Sequence, residues 1–131
     1  MVTIFAKDAP TAIGPFSHAV LSNGFFFCSG QVAINPGTKQ LEGDDIEQQT
    51  RNVFQNVKSV LRSKELGLGD VVKVNVYLTD MANFLKMNFV YEEQFGMHKP
   101  ARTTVAVAAL PLGALVEIEC IAEYKNKSSA I

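Results

Sequence analysis

The stretch that decides the fold is residues 71–110, VVKVNVYLTDMANFLKMNFVYEEQFGMHKPARTTVAVAAL. Its first nine residues alternate, with Val72, Val74, Val76 and Leu78 on one side and Lys73, Asn75, Tyr77 and Thr79 on the other. That pattern predicts a strand with one dry face and one amphipathic face. Thr79 or Asp80 can cap a helix and Gly96 can end it. The helix's apolar stripe is Phe84, Met87, Tyr91 and Phe95, with Asn88 lying inside it as a polar intruder. After Pro100, the Thr, Val and Ala of residues 101–110 read as a second strand. Strand, helix and strand in that order predict a right-handed crossover with the two strands parallel.

Upstream lie three short extended pieces, around Ile4, over 17–21 and over 25–29, the last two joined by Asn23-Gly24, a strong hairpin signal. After turn-rich stretches at 35–39 and 43–45, Asp44 or Asp45 can cap a long helix to about Leu66, stopped by Gly67 and Gly69. Ile46, Thr50, Val53, Val57, Val60 and Leu61 share one face of it. Downstream, Pro111-Leu112-Gly113 separates residues 101–110 from a last strand over 114–124. The reading is one α+β domain over residues 1–131, ordered βββαβαββ: a six-stranded mixed sheet with both helices on its valine face. The other face is expected to carry Lys73, Asn75, Tyr77, Arg102, Thr104, Glu117 and Glu119, interspersed with Ala106, Ala108, Leu115 and Ile121. A half-apolar sheet face with no helix over it predicts burial against another copy of the chain, a homo-oligomer.

Composition narrows the function classes. The hydrophobic fraction is 47% and the charged fraction 19%, which suits a packed domain. Twelve basic and thirteen acidic residues leave a net charge of −1, and no run of like charge exceeds two residues, so neither nucleic acid nor an anionic membrane is an expected partner. The longest near-apolar run, 105–115, is far short of the ~20 residues a spanning helix needs. No secretory or transit signal is readable in the first ten residues, so the expected compartment is the cytoplasm, with mitochondria left open. Cys28 and Cys120 read as buried free thiols, and the sequon at Asn126 carries no weight without a secretory route.

Nucleotide-loop, zincin and nucleophile-elbow motifs are absent. His18 and His98 stand eighty residues apart and offer no ligand spacing, so no metal is expected. Cys28-Ser29-Gly30 could supply a nucleophile, but a packing cysteine before a tight turn with free backbone N–H groups is the stronger reading. Arg102 opens a strand of Thr, Val and Ala, and a desolvated guanidinium there needs a carboxylate, from the protein or from a ligand. A direct hairpin about Gly113 would put Arg102 opposite Glu123, five or six residues (roughly 17–20 Å) from Glu117. Either the last two strands are not neighbours, or Arg102 meets its partner across a subunit boundary.

Taken together, Ala12-Ile13-Gly14-Pro15-Phe16-Ser17, Ser29-Gly30-Gln31, Gln55-Asn56-Val57, Pro100-Ala101-Arg102, the Val107–Pro111 run and Ile118-Glu119 closely resemble the RidA (YjgF) family. These are reactive-intermediate deaminases once labelled L-PSP endoribonucleases or translation inhibitors. The resemblance covers residues 6–124. It implies a chorismate-mutase-like fold and a homotrimer with clefts between subunits. The implied reaction is cofactor-free hydrolysis of 2-iminopropanoate (from 2-aminoacrylate) and 2-iminobutanoate to 2-oxo acids and ammonia, protecting pyridoxal-phosphate enzymes from damage. By the same resemblance Arg102 would hold the substrate carboxylate and Glu117 would orient and polarise water. Ser29 and the Gly30 N–H would line the cleft, and Asn88 would fix its walls. Two positions depart from the family pattern. Phe16 stands where members commonly carry Tyr, which removes a hydroxyl donor while keeping a ring against substrate. Thr104 stands where many carry Cys, which excludes thiol chemistry and leaves its backbone carbonyl as an acceptor. The alternatives are a non-catalytic small-carboxylate-binding or chaperone-like module and, less well supported, a ribonuclease or translation inhibitor.

Overall fold

In the computed structural model, which describes residues 1–125, the first helix α1 spans Ile46–Arg62. Asp45 Oδ1 accepts the Gln48 N–H at 2.9 Å, and Gln48 Oε1 in turn accepts the Asp44 N–H at 2.9 Å, a reciprocal cap. The whole expected stripe is buried, and Phe54, Gln49 and Asn56 are buried with it. α1 stops four residues before Leu66. The chain leaves it through Glu65 at φ +59°, and the Leu66 N–H donates back to the Leu61 carbonyl at 3.1 Å. This Schellman-type closure usually falls to glycine. Gly67 and Gly69 come after it and do not make the stop.

Six strands form one sheet: β1 (Val2–Ile4), β2 (Ala19–Ser22), β3 (Phe25–Gln31), β4 (Val71–Leu78), β5 (Ala101–Ala106) and β6 (Val116–Glu123). Their spatial order is β1-β2-β3-β6-β4-β5. Asn23 and Gly24, at φ +50° and +80°, make the two-residue turn between β2 and β3. β4 and β5 pair in parallel across helix α2 (Phe84–Phe95), and every other neighbouring pair is antiparallel. Asp80 caps a single 3-10 turn, Met81–Asn83, that leads into α2, and Gly96 at φ +61° ends it. β6 inserts between β3 and β4, so β5 and β6 are not neighbours and no Arg102–Glu123 hairpin exists. No helix among the described residues is long and apolar enough to cross a membrane. The Asn126 sequon lies outside the described residues.

The valine rows of β4 and the Val116, Ile118, Cys120 and Ala122 face of β6 pack under α1 and α2 in one core. Cys28 and Cys120 are buried free thiols, directly opposite one another on β3 and β6. Phe54 joins the helices, its ring edge-on to Tyr91 at 5.9 Å and to Phe95 at 5.7 Å. Phe54→Ala is expected to destabilise the protein by about 3–5 kcal/mol, read as a lowered urea midpoint at unchanged m.

The faces differ from the sequence expectation in three places. A register irregularity between Val71 and Lys73 puts Val71 in the core and leaves Val72 exposed, so Val72 does not belong to the dry row. Residues 107–110 leave the strand, because β4 ends at Leu78 and offers no further partner. Most consequentially, Arg102 pairs with Val74, Thr104 with Val76 and Ala106 with Leu78, so these three face the helix side. The open face instead carries Lys73, Asn75, Tyr77, Thr103, Val105, Glu117, Glu119, Ile121 and the exposed Phe25 and Phe27. Leu115 packs against the core and Ala108 lies beyond β5, so of the four expected apolar residues only Ile121 is on that face.

Candidate active site

The parity of β5 sends the Arg102 side chain towards α2. Its Nη1 donates to Asn88 Oδ1 at 2.7 Å, which explains the polar intruder in the helix stripe. The guanidinium lies 4.6 Å from the centre of the Tyr91 ring and 5.7 Å from that of Phe84. The ion pairs among the described residues join Arg51 to Glu47 and Glu93, and Lys125 to Glu123; none involves Arg102. A cation resting near two aromatic rings and held by one amide keeps most of its five N–H donors for something else. It borders a cleft of about 330 Å³ lined also by Phe95, His98, Lys99 and Pro100. Burial pushes the Tyr91 hydroxyl up, partly countered by Arg102. The Tyr91 hydroxyl and the Thr104 Oγ1 are both buried with no hydrogen-bond partner among the described residues.

Glu117 sits on the other side of the sheet, opposite Tyr77 on β4. Burial, and after it the charge of Glu119, raise its carboxyl above the ordinary glutamate value. Glu119 is itself fixed, accepting the Tyr77 hydroxyl at 2.5 Å and the Asn75 amide at 3.1 Å. The bond to Glu119 pushes the Tyr77 hydroxyl up to about 12, so it remains a donor throughout the neutral range.

Ser29 and Gly30 do not form a turn. They are a bulge inside β3, two residues standing opposite Glu119 alone, between the Cys28–Cys120 and Gln31–Ile118 pairs. The Ser29 N–H donates to the His18 carbonyl at 2.9 Å and its hydroxyl to the Ser17 carbonyl at 2.8 Å, so Ser29 braces the cleft wall and its N–H is not free. Gly30 is required for a different reason: a Cβ there would overlap the Glu117 carboxylate. Glu117, Gly30 and Phe16 share a cavity of about 340 Å³ whose other walls include Ile13, Val32, Ile34 and Leu112. His18 lies against it fully committed, Nδ1 accepting the Ala6 N–H at 2.8 Å and Nε2 donating to the Pro10 carbonyl at 2.6 Å.

The expected site residues therefore fall into two groups. Phe16, Gly30 and Glu117 line one cavity, with Ser29 beside Gly30 but not in its lining; Asn88, Arg102 and Thr104 cluster at the other side of the sheet. Two strand spacings and three residues of rise separate Arg102 from Glu117, roughly 14 Å along the sheet before their side chains diverge. In the sequence Tyr91 and Phe84 read as helix packing only, because a stripe position says nothing about what approaches from a neighbouring strand. Leu112 escaped notice because a Pro-Leu-Gly turn carries no chemical signal.

Comparison with known proteins fits this architecture. A family profile described as "Endoribonuclease L-PSP" matches residues 6–124. A RutC family protein of Pyrococcus horikoshii is 49% identical over 123 residues, covering 94% of this chain and 97% of that protein. The Reactive Intermediate Deaminase A of Arabidopsis thaliana, a chloroplast protein, is 39% identical over 119 residues, 91% of this chain and 64% of that protein. The E. coli TdcF structure with bound serine superposes with a TM-score of 0.89 at 35% identity, covering 95% of this chain and 100% of that one. With a profile spanning nearly the whole domain and relatives this close along their length, the chain belongs to the L-PSP endoribonuclease family, the family of the RidA deaminases.

Proposed function

We propose that this protein hydrolyses reactive 2-imino acids, 2-iminopropanoate and 2-iminobutanoate, to 2-oxo acids and ammonia, at sites shared between copies of the chain in a homotrimer. The observation that carries the reading is Arg102: a half-buried guanidinium at a cleft, oriented by Asn88 and two rings, with no carboxylate partner among the described residues. Such a group is a receptor for a planar anion. The serine bound to the E. coli relative is an amino acid carrying that anion. Because Arg102 and Glu117 are on opposite faces of one sheet, a second copy must bring its Glu117 cavity to the Arg102 cleft, and the half-apolar open face offers the contact.

The chemistry then follows. Arg102 holds the substrate carboxylate and so fixes C2 of the imine. Glu117, its carboxyl raised by burial, takes a proton from water as the oxygen adds to C2 and the C=N bond becomes single. That proton passes to the nitrogen to give a carbinolamine; Glu117 then takes the hydroxyl proton as C=O forms and delivers it to the amine as the C–N bond breaks and ammonia leaves. Phe16 packs on the substrate without donating a hydrogen bond, and Ser29 keeps the Gly30 backbone against Glu117.

Threonine dehydratase supplying 2-iminobutanoate in the presence of semicarbazide tests this: the protein is expected to suppress semicarbazone formation. A protein that binds 2-oxobutanoate yet leaves semicarbazone formation untouched is a binding module instead, the reading that Phe16 favours. A ribonuclease is poorly served by this site, since both ring nitrogens of His18 are spent on backbone and His98 Nε2 is bonded to the Val71 carbonyl at 2.6 Å. Gly30→Ala is expected to fold normally, by circular dichroism, while kcat/KM falls about 100-fold, because the added methyl displaces the carboxylate from its working position.

A further inference from the structure

The turn that brings the chain from β5 to β6 holds a residue in an unfavourable conformation. Leu112 and Gly113 have φ +58° and +70°, and the Ala114 N–H donates to the Pro111 carbonyl at 3.0 Å. This is a primed turn, whose first central position favours Asn or Gly because a Cβ is strained there. The same chain follows that rule at its other primed turn, Asn23-Gly24. At 112 it places a leucine instead, 63% exposed, on the wall of the Glu117 cavity. Facing the same space are Ile13, 79% exposed, and Phe16, 48% exposed, with Val32 and Ile34 behind them. An apolar side chain held at a conformational cost and turned towards an apolar cavity needs a use, since the turn alone would be better made by Asn.

The charge pattern narrows that use. Glu117 is the anion of the cavity, no Lys or Arg lines it among the described residues, and His18 has no free ring nitrogen to offer. A substrate whose C2 lies beside Glu117 therefore meets the mainly apolar wall of a cavity that in the single chain measures about 340 Å³.

We propose that Leu112, with Ile13 and Phe16, is a specificity wall: the cavity selects 2-imino acids with apolar side chains larger than ethyl and rejects those carrying a second carboxylate. This rests on the deaminase reading above and names the substrate class of that same site. Within the cavity a second carboxylate would meet Glu117 with no Lys or Arg in the lining, whereas a branched alkyl group would displace water from the Leu112 wall.

The test uses the full-length protein with imino acids generated by an L-amino-acid oxidase and catalase from leucine, alanine and aspartate, trapped with semicarbazide. Wild type is expected to show kcat/KM for the leucine-derived imine at least equal to that for the alanine-derived one, and at least 100-fold above that for the aspartate-derived one. Leu112→Asn suits the turn and so preserves the backbone. It is expected to lower kcat/KM for the leucine-derived imine about 10-fold or more, leaving the alanine-derived imine within about 3-fold and the assembly mass unchanged. Equal loss on both substrates, an unchanged ratio, or a changed assembly mass would overturn the proposal, the last by making Leu112 an interface residue. If wild type hydrolyses no imine, the deaminase reading fails by itself. Calorimetry with 4-methyl-2-oxopentanoate, 2-oxopropanoate and 2-oxobutanedioate then decides the wall independently, the same order of affinity supporting it and no discrimination overturning it.

Discussion

Arg102→Ala is expected to cut kcat/KM for 2-iminobutanoate by about 10³-fold and to abolish detectable binding of 2-oxobutanoate by calorimetry. Truncating one member of a desolvated, hydrogen-bonded charge pair costs about 2–5 kcal/mol, and here the lost partner would be the substrate's own carboxylate. The fold should survive, because β5 is an edge strand with no buried residue and Arg102 makes one side-chain hydrogen bond, to Asn88. Arg102→Lys keeps the charge but loses the planar fork and its stacking on Tyr91, so it should recover only part of the affinity. Retained 2-oxobutanoate binding in the alanine variant would remove Arg102 from the site.

Glu117→Gln is expected to lower kcat by about 10²–10⁴-fold, the usual contribution of a positioned acid–base group, while 2-oxobutanoate still binds. Its pH behaviour gives a second, independent reading. Glu117 works as a base, so wild-type activity should fall as pH drops through the carboxyl's raised value. Glu119→Gln removes the charge that helps to raise it, so the acid limb of the profile should move to lower pH. An unmoved limb would mean that some other group governs it. The two variants also test whether the site is shared: co-expressed Arg102→Ala and Glu117→Gln chains should recover part of the activity that each lacks alone, since some interfaces then pair an intact Arg102 with an intact Glu117. A site contained in one chain would show no recovery.

Much of this architecture is legible in the amino-acid sequence. The 3–4 spacing of Ile46, Thr50, Val53, Val57, Val60 and Leu61 required a helix with one buried face, and all six lie on it, together with Gln49, Phe54 and Asn56. Asn23-Gly24 dictated a hairpin and made one. The resemblance carried by the Ile-Gly-Pro, Ser-Gly-Gln and Pro-Ala-Arg motifs and by the last strand pointed to Phe16, Gly30, Arg102 and Glu117. Local chemistry is what such signals encode: periodicity, caps and turn residues act within a few positions of the chain.

Which face each β5 residue takes was not legible. Alternation says that Arg102, Thr104 and Ala106 share a side, but β5 is an edge strand with no buried residue, so no hydrophobic contrast says which side. Only its pairing with β4 assigns them to the helices, and so away from Glu117, which alternation with Val116 and Ile118 already put on the open face. The same holds for the bulge that presses Gly30 onto Glu117 and for the left-handed Leu112. Element order and helix faces followed from residue types and their spacing, and the expected site residues from the family resemblance. The division of those side chains between two faces depended on register, which is set by pairing between strands distant in the chain, and a one-residue shift there exchanges the faces.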